Sequence, residues 1–108
     1  MKVSRQQVSA WRMRRQYLDP RSEHTASAIV SRLCGVQAQV WSAAELAVAL
    51  RQSTPDENSV DHGVADLALM KTWAVRGTLH LLRPSDAGAY LSLVAWWSPR
   101  SQTPAPCR

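Results

Sequence analysis

At Lys71 the hydrophobic period of this chain changes. Upstream, apolar residues recur every three or four positions, the spacing of one helix face. Downstream, Lys71-Thr72-Trp73-Ala74-Val75 and Thr78-Leu79-His80-Leu81-Leu82 are two strand-like runs rich in β-branched and bulky residues, with Arg76-Gly77 between them to supply a turn. A hairpin is predicted over 71–82. Whatever precedes it must therefore be a set of helices that the hairpin can complete.

The upstream helices can be bounded from their caps. Ser4 with Gln7 forms a capping box, and Val8, Trp11, the aliphatic stem of Arg15, and Leu18 follow at helical spacing until Asp19-Pro20, which predicts a helix over 4–18. Its other face carries Arg5, Arg12 and Arg14. Thr25 opens a second helix, 25–34, with Ala26, Ile29, Val30 and Leu33 on one side and Gly35 as a left-handed cap just past its end. Val36-Gln37-Ala38-Gln39-Val40 alternates apolar and polar and reads as an extended segment, 36–40. Ser42 with Glu45 is a second capping box, for a helix over 43–52 that carries Leu46, Val48 and Leu50. After a turn-rich stretch, a helix over 59–69 places Val60, Val64, Leu67 and Ala68 on one side, although Gly63 weakens it by roughly 1 kcal/mol relative to alanine. Pro84-Ser85-Asp86 starts a last helix, 86–97, with Ala89, Tyr90, Leu93, Val94 and Trp97 on its apolar side. Residues 98–108 contain three prolines and no periodicity, so a disordered tail is expected.

The fold class that this order implies is mainly α with a small β-hairpin: a winged helix-turn-helix unit over 1–97, preceded by an extra helix, with the hairpin as the wing. A chain of 108 residues leaves no room for a second domain of ordinary size. No apolar run approaches the roughly 20 residues of a membrane helix, and no secretory h-region follows Met1, so a cytoplasmic protein with no membrane partner is expected. Cys34 and Cys107 lie far apart, form no CxxC and have no histidine at metal-ligand spacing, so neither a disulfide framework nor a zinc site is suggested; no cofactor is expected. Cys34 reads as a small buried apolar residue at a helix end.

The net charge is +5 and is unevenly placed. Up to Cys34 there are seven Lys and Arg residues against two acids, whereas Gly35 to Tyr90 holds four against six. A cationic amino-terminal third suits a polyanionic partner, because lysines and arginines on phosphates release counterions. A solvated helix face is the alternative. The helix over 59–69 bears Asp61 and Asp66, which disfavours its insertion into a major groove, and phosphate contacts then fall to the basic third.

Arg32-Leu33-Cys34-Gly35-Val36-Gln37-Ala38-Gln39 and Lys71-Thr72-Trp73-Ala74-Val75-Arg76-Gly77-Thr78-Leu79-His80-Leu81-Leu82, in this order, resemble the winged-helix DNA-binding family of bacterial DNA glycosylases, the AlkZ/YcaQ-like enzymes of alkylpurine and interstrand-crosslink repair. The resemblance runs from about residue 4 to Ala95. It implies tandem winged-helix units that wrap duplex DNA, of which this chain covers the first. Beyond Ala95 the sequence departs from the pattern, and its proline-rich end reads as a truncation or a shifted frame. The Gln-x-Gln motif is catalytic in the family, which by resemblance gives that role to Gln37 and Gln39.

Amides suit this chemistry. A purine alkylated at N7 or N3 is already cationic and departs without an acid, leaving an oxocarbenium-like sugar. What remains is to hold a water at the anomeric carbon and to turn oxygen dipoles toward the developing cation. Two glutamines pointing the same way from an extended segment can do both. A crosslinked base cannot flip freely, so a shallow site also suits bulky lesions.

The remaining candidates are DNA contacts at Arg12, Arg14, Arg15, Arg76 and His80. For His80 two readings stand: contact with a phosphate or a neighbouring group, or a structural histidine bonded within the unit. Trp73 and Val75 read as anchors of the wing, and Trp96 and Trp97 as exposed apolar surface. The functions expected are thus the amino-terminal part of a DNA glycosylase acting on lesion-containing duplex DNA, or a non-catalytic winged-helix DNA-binding fragment or regulator. A helical protein-interaction domain is a third class, set apart by a lack of DNA retention.

Overall fold

The computed structural model describes residues 1–97, and the tail over 98–108 lies outside the described residues. It is mainly α, with five α-helices among the described residues and one small antiparallel sheet. In chain order these are α1 (Arg5–Arg15), α2 (Ala26–Arg32), β1 (Val36–Gln37), α3 (Trp41–Ala49), α4 (Ser59–Ala65), β2 (Met70–Trp73), a single 3-10 turn (Val75–Gly77), β3 (Leu79–Leu82) and α5 (Pro84–Trp97). Helices α2, α3 and α4 followed by the β2–β3 hairpin fit a winged-helix unit, with α1 in front as the extra helix. No helix among the described residues is long and apolar enough to cross a membrane.

The main core lies between α2, α3, α4 and one face of the sheet. Ile29 and Val30 of α2, Ala44 and Val48 of α3, Val60 of α4, Leu69, and Val36 and Leu81 of the sheet are buried together. Strand β3 is central, flanked by β1 and β2. On the opposite face, α5 packs Ala87 and the half-buried Tyr90 against Met70, Ala74 and Leu82. The sheet is therefore covered on both sides, but α5 covers only part of its face.

Several helices differ from expectation, each for a physical reason. Ser4 and Gln7 do form the capping box of α1, with Ser4 N donating to Gln7 Oε1 at 2.8 Å and Gln7 N to Ser4 Oγ at 3.1 Å. No residue of α1 is buried, however, and Trp11 is 59% exposed. Its chain reverses at Gln16 and Tyr17, the latter at φ 58°, so the helix meets the body only at its last turn. Helix α3 begins at Trp41, one residue before the expected cap: Val40 enters extended, its carbonyl takes the amides of Ala43 and Ala44, and Ser42 makes no capping bond. Trp41 fixes this start by donating its indole N–H to Asp61 at 3.1 Å and lying beneath the Lys71 ammonium, 5.2 Å from the ring centroid. The buried face is Ala44 and Val48, while Leu46 and Leu50 are exposed.

Helix α4 ends at Ala65, not 69. Leu67 adopts φ 60° and is exposed, and the amides of Ala68 and Leu69 both return to the Gly63 carbonyl, at 2.8 and 2.9 Å. A Cβ on Gly63 would stand 2.8 Å from Leu69 Cδ1. The glycine that weakens the helix thus admits Leu69 to the core. On α5 the side facing the sheet is Ala87 and Tyr90 with Val94 half-buried, while Ala89 and Leu93 are exposed. Trp73 and Val75 are exposed and do not anchor the wing; along β2 Met70 and Thr72 are half-buried, while Lys71 and Trp73 are exposed. Trp96 is exposed, as expected.

Candidate functional site

Helix α2 is short and stops abruptly. Thr25 caps it through Ala28 N, and Leu33 closes it in α conformation. The left-handed position falls on Cys34, at φ 60°, and Gly35 follows at φ 106° with its amide on Val30 O at 3.0 Å. Cys34 is thereby turned outward and is exposed, not buried. Gly35 is needed for contact as well as conformation: a Cβ there would lie 2.9 Å from Leu82 Cδ2. This turn delivers Val36 and Gln37 to the edge of β3.

Strand β1 pairs Val36 with Leu81 and Gln37 with His80. The Ala38 amide donates to Leu79 O at 2.7 Å, so Ala38–Leu79 is a hydrogen-bonded pair and Gln37–His80 is the non-bonded pair next to it. Across antiparallel strands such pairs stand closest, with Cα atoms about 4.5 Å apart and side chains on one face. On the far side of β3, His80 pairs with Thr72. Gln37, His80 and Thr72 therefore form one row on the face that α5 only partly covers. Val36 and Ala38 are buried while Gln37 and Gln39 are exposed. The alternation read from the sequence is present, although the paired strand is only two residues long and the chain bends at Gln39 and Val40.

His80 is half-buried. Its Nδ1 lies 3.1 Å from Thr78 O and 3.3 Å from Thr78 Oγ1. Thr78 Oγ1 in turn donates to Val75 O at 2.9 Å, inside the turn that carries Arg76. Arg76 itself is exposed at φ 58° at the tip of the wing.

The four arginines of α1 are all exposed, and of the expected DNA contacts Arg12, Arg14 and Arg15 only Arg15 lines a groove among the described residues. A groove of about 600 Å³ is lined by Trp11, Arg15, Gln16, Arg32, Gly35 and Arg51, together with Leu33. Arg15 lies 5.4 Å from the centroid of the Trp11 ring and Arg32 5.5 Å from that of Tyr17. Arg32 Nε donates to Arg15 O and Arg51 Nε to Gln16 O, each at 3.0 Å, so both guanidinium groups close the end of α1. Burial lowers the Arg51 pKa from its ordinary value. Among the described residues no carboxylate lines the groove, whose lining includes Gly35, two residues before Gln37. Sequence reasoning named Arg15 but missed Arg32 and Arg51; their positions, at the last residue of α2 and just beyond α3, where cations meet the helix dipole, were the available signal.

A second polar cluster ties α2 to α5. Asp86 accepts from Ser31 Oγ at 3.1 Å and from the Arg83 guanidinium at 3.3 Å, with Arg83 Nε 3.2 Å from its other oxygen. The bond from Arg83, and secondarily that from Ser31, holds the Asp86 carboxyl below its usual range. Tyr90 is raised, first by its hydrogen bond with Cys34 and then by burial. Among the described residues no group of histidine, cysteine and acidic side chains could hold a metal ion.

Residues 30–105 match the family model described as DNA glycosylase AlkZ-like. An interstrand DNA cross-link repair glycosylase of Streptomyces sahachiroi is 70% identical over 95 residues, which are 88% of this chain and 26% of that protein. The solved structure of Streptomyces sahachiroi DNA glycosylase AlkZ superposes with a TM-score of 0.84 at 67% identity, over 92% of this chain and 28% of that one. The chain thus spans about a quarter of the length of the relatives it matches. With a match over more than half of its length, the chain belongs to the AlkZ-like DNA glycosylase family.

Proposed function

We propose that this chain is the DNA-binding, water-positioning quarter of a glycosylase that excises alkylated or crosslinked bases from duplex DNA. The observation that carries the reading is the pair of exposed amides, Gln37 and Gln39, alternating with buried Val36 and Ala38 just after Gly35, which lines a groove with three arginines and, among the described residues, no carboxylate. Phosphates seated against Arg15 and the free edge of Arg32 set the register of the duplex. Arg12 and Arg14 on the same helix and Arg76 on the wing extend that contact. The two amides then hold a water against the anomeric carbon as the cationic base leaves, and their carbonyl oxygens face the oxocarbenium-like sugar.

The arginine groove by itself supports a second reading, DNA retention without chemistry. One experiment separates the two. A chimera in which the 95 aligned residues of this chain replace the matching quarter of the Streptomyces sahachiroi enzyme is incubated with duplex DNA bearing an N7-alkylated purine. Base release that drops on Gln37→Ala and on Gln39→Ala supports the first reading, and unchanged release in both variants sinks it. Salt-sensitive binding of the 108-residue chain, with no release by the chimera, leaves the second reading standing.

A further inference from the structure

We infer that His80 is the proton acceptor of the reaction, taking the proton of the water that Gln37 positions; the inference rests on the function proposed above. The site as read so far positions water but has no group to accept its proton. An amide is no base near neutral pH, and the nearby carboxylate, Asp86, is already engaged by Arg83 and Ser31.

Three observations single out His80. It stands directly across the narrow pair from Gln37, on the same face of the sheet, and it is the one titratable side chain in a row whose other members, Gln37 and Thr72, are neutral. Its tautomer follows from its partners. The Thr78 hydroxyl proton is committed to Val75 O at 2.9 Å, and Thr78 O can only accept, so the proton between them and the ring resides on Nδ1. Nε2 is left bare, with no hydrogen-bond partner among the described residues. Finally, the adjoining Cδ2 edge lies against Gly35, since a Cβ there would stand 3.8 Å from it, and Gly35 is one of the residues that line the arginine groove.

The step balances. The water oxygen forms a bond to the anomeric carbon as the N-glycosidic bond breaks, and the bonding pair leaves with the alkylated purine, which becomes neutral. The water proton passes to Nε2, so His80 becomes imidazolium, stabilised on its other nitrogen by Thr78 O. The charged or titratable groups on the elements around β3 lie off the row. Lys71 of β2 is on the opposite face over Trp41. Arg32 stacks on Tyr17, Cys34 is turned outward past the end of α2, and Arg83 pairs with Asp86 at the start of α5.

The test compares the chimera with its His80→Gln and Gln37→Ala variants, following base release against pH, and records the imidazole nitrogen shifts of the 108-residue chain by NMR. A glutamine at position 80 can still accept a hydrogen bond but cannot take a proton. The expected result is a loss of roughly a hundredfold in kcat with KM little changed. The decline in rate on the acid side disappears in His80→Gln but persists in a Gln37→Ala variant of low activity, and the ring shifts place the proton on Nδ1. An unchanged rate in His80→Gln, an acid limb that survives in it, or a proton found on Nε2 with Nδ1 bare overturns the role while leaving the glutamines theirs. If His80→Gln loses its circular dichroism spectrum, the unsubstituted chimera decides: a rate independent of pH between about 5 and 8 overturns the inference. No release by the unsubstituted chimera sinks the function reading, and His80 falls with it.

Discussion

Helices α1 and α2 both start at a hydroxyl cap and both end in arginine, yet they belong to the structure in different ways. α1 has a complete capping box and three arginines in its last turn, but no buried residue. α2 is only seven residues long, and Ala26, Ile29 and Val30 are buried in the core. Local signals are enough to shape a helix; burial decides whether the fold depends on it. The same contrast separates the two halves of the proposed site. Gln37 and His80 hang from the buried core through Val36 and Leu81, whereas the arginine groove is half built from a helix that stands outside it.

Truncating the core side should produce the largest effect. Leu81 is fully buried at the centre of the sheet, next to His80, so Leu81→Ala should cost about 2–5 kcal/mol, read as a shifted urea midpoint. The matched change on the other side, Trp11→Ala, should move that midpoint by no more than about 0.5 kcal/mol, as for an exposed position. Equal losses from the two would mean that α1 is packed, and the contrast would be gone.

Gly35 comes next, because it joins the two halves. Gly35→Ala must hold a side chain at φ 106° and push its Cβ against Leu82, for a cost of about 1–3 kcal/mol. The variant should also disturb the backbone resonances of His80 and Gln37. A stable Gly35→Ala with the His80 shifts unmoved would show that this turn does not set the site.

The sequence disclosed what depends on neighbours along the chain. The change of period at Lys71 located the hairpin, the spacing of Ala26, Ile29 and Val30 gave the buried side of α2, and Ser4 with Gln7 gave the start of α1. What it concealed depends on residues far apart. The register that sets His80 opposite Gln37 joins positions more than forty apart and is fixed by Val36 and Leu81 entering one core. Arg32 and Arg51 meet at the end of α1 only after three helices have folded. The early stop of α4 follows from Leu69 claiming the space above Gly63, which no helical pattern reveals. Gln37 and Gln39 were legible as an alternation, but the pairing of Gln37 with His80 was not.

Smaller effects are expected where the arginines hold α1. Arg32→Ala and Arg51→Ala each remove a guanidinium bond to a carbonyl at the end of α1, worth about 1 kcal/mol. Arg51, just beyond α3, also bonds Ala47 O at 2.6 Å in that helix, so its loss should reach α3 as well. Hydrogen exchange should speed up in residues 5–15 in both variants, and in residues 41–49 only in Arg51→Ala. Faster exchange throughout the core in Arg32→Ala would show that α1 supports the fold after all.

Ser4→Ala should change the fold least, and for that reason it tests the contrast most directly. Loss of an N-cap hydroxyl destabilises a helix by about 0.5–2 kcal/mol, and here it removes both the bond to Gln7 N and the geometry that lets Gln7 return to Ser4 N. In a helix packed into the core, that loss would appear in full in global unfolding. In α1 no buried side chain carries it to the rest of the molecule, so the first turn should fray while the urea midpoint stays in place. The expected signature is loss of hydrogen-exchange protection in α1 and a small drop in helical circular dichroism. The shifts of Gln37, His80 and Thr78 should not move. A midpoint that falls by the full value of the cap would mean that α1 and the core unfold as one unit, and that its arginines are held in place as firmly as the glutamines are.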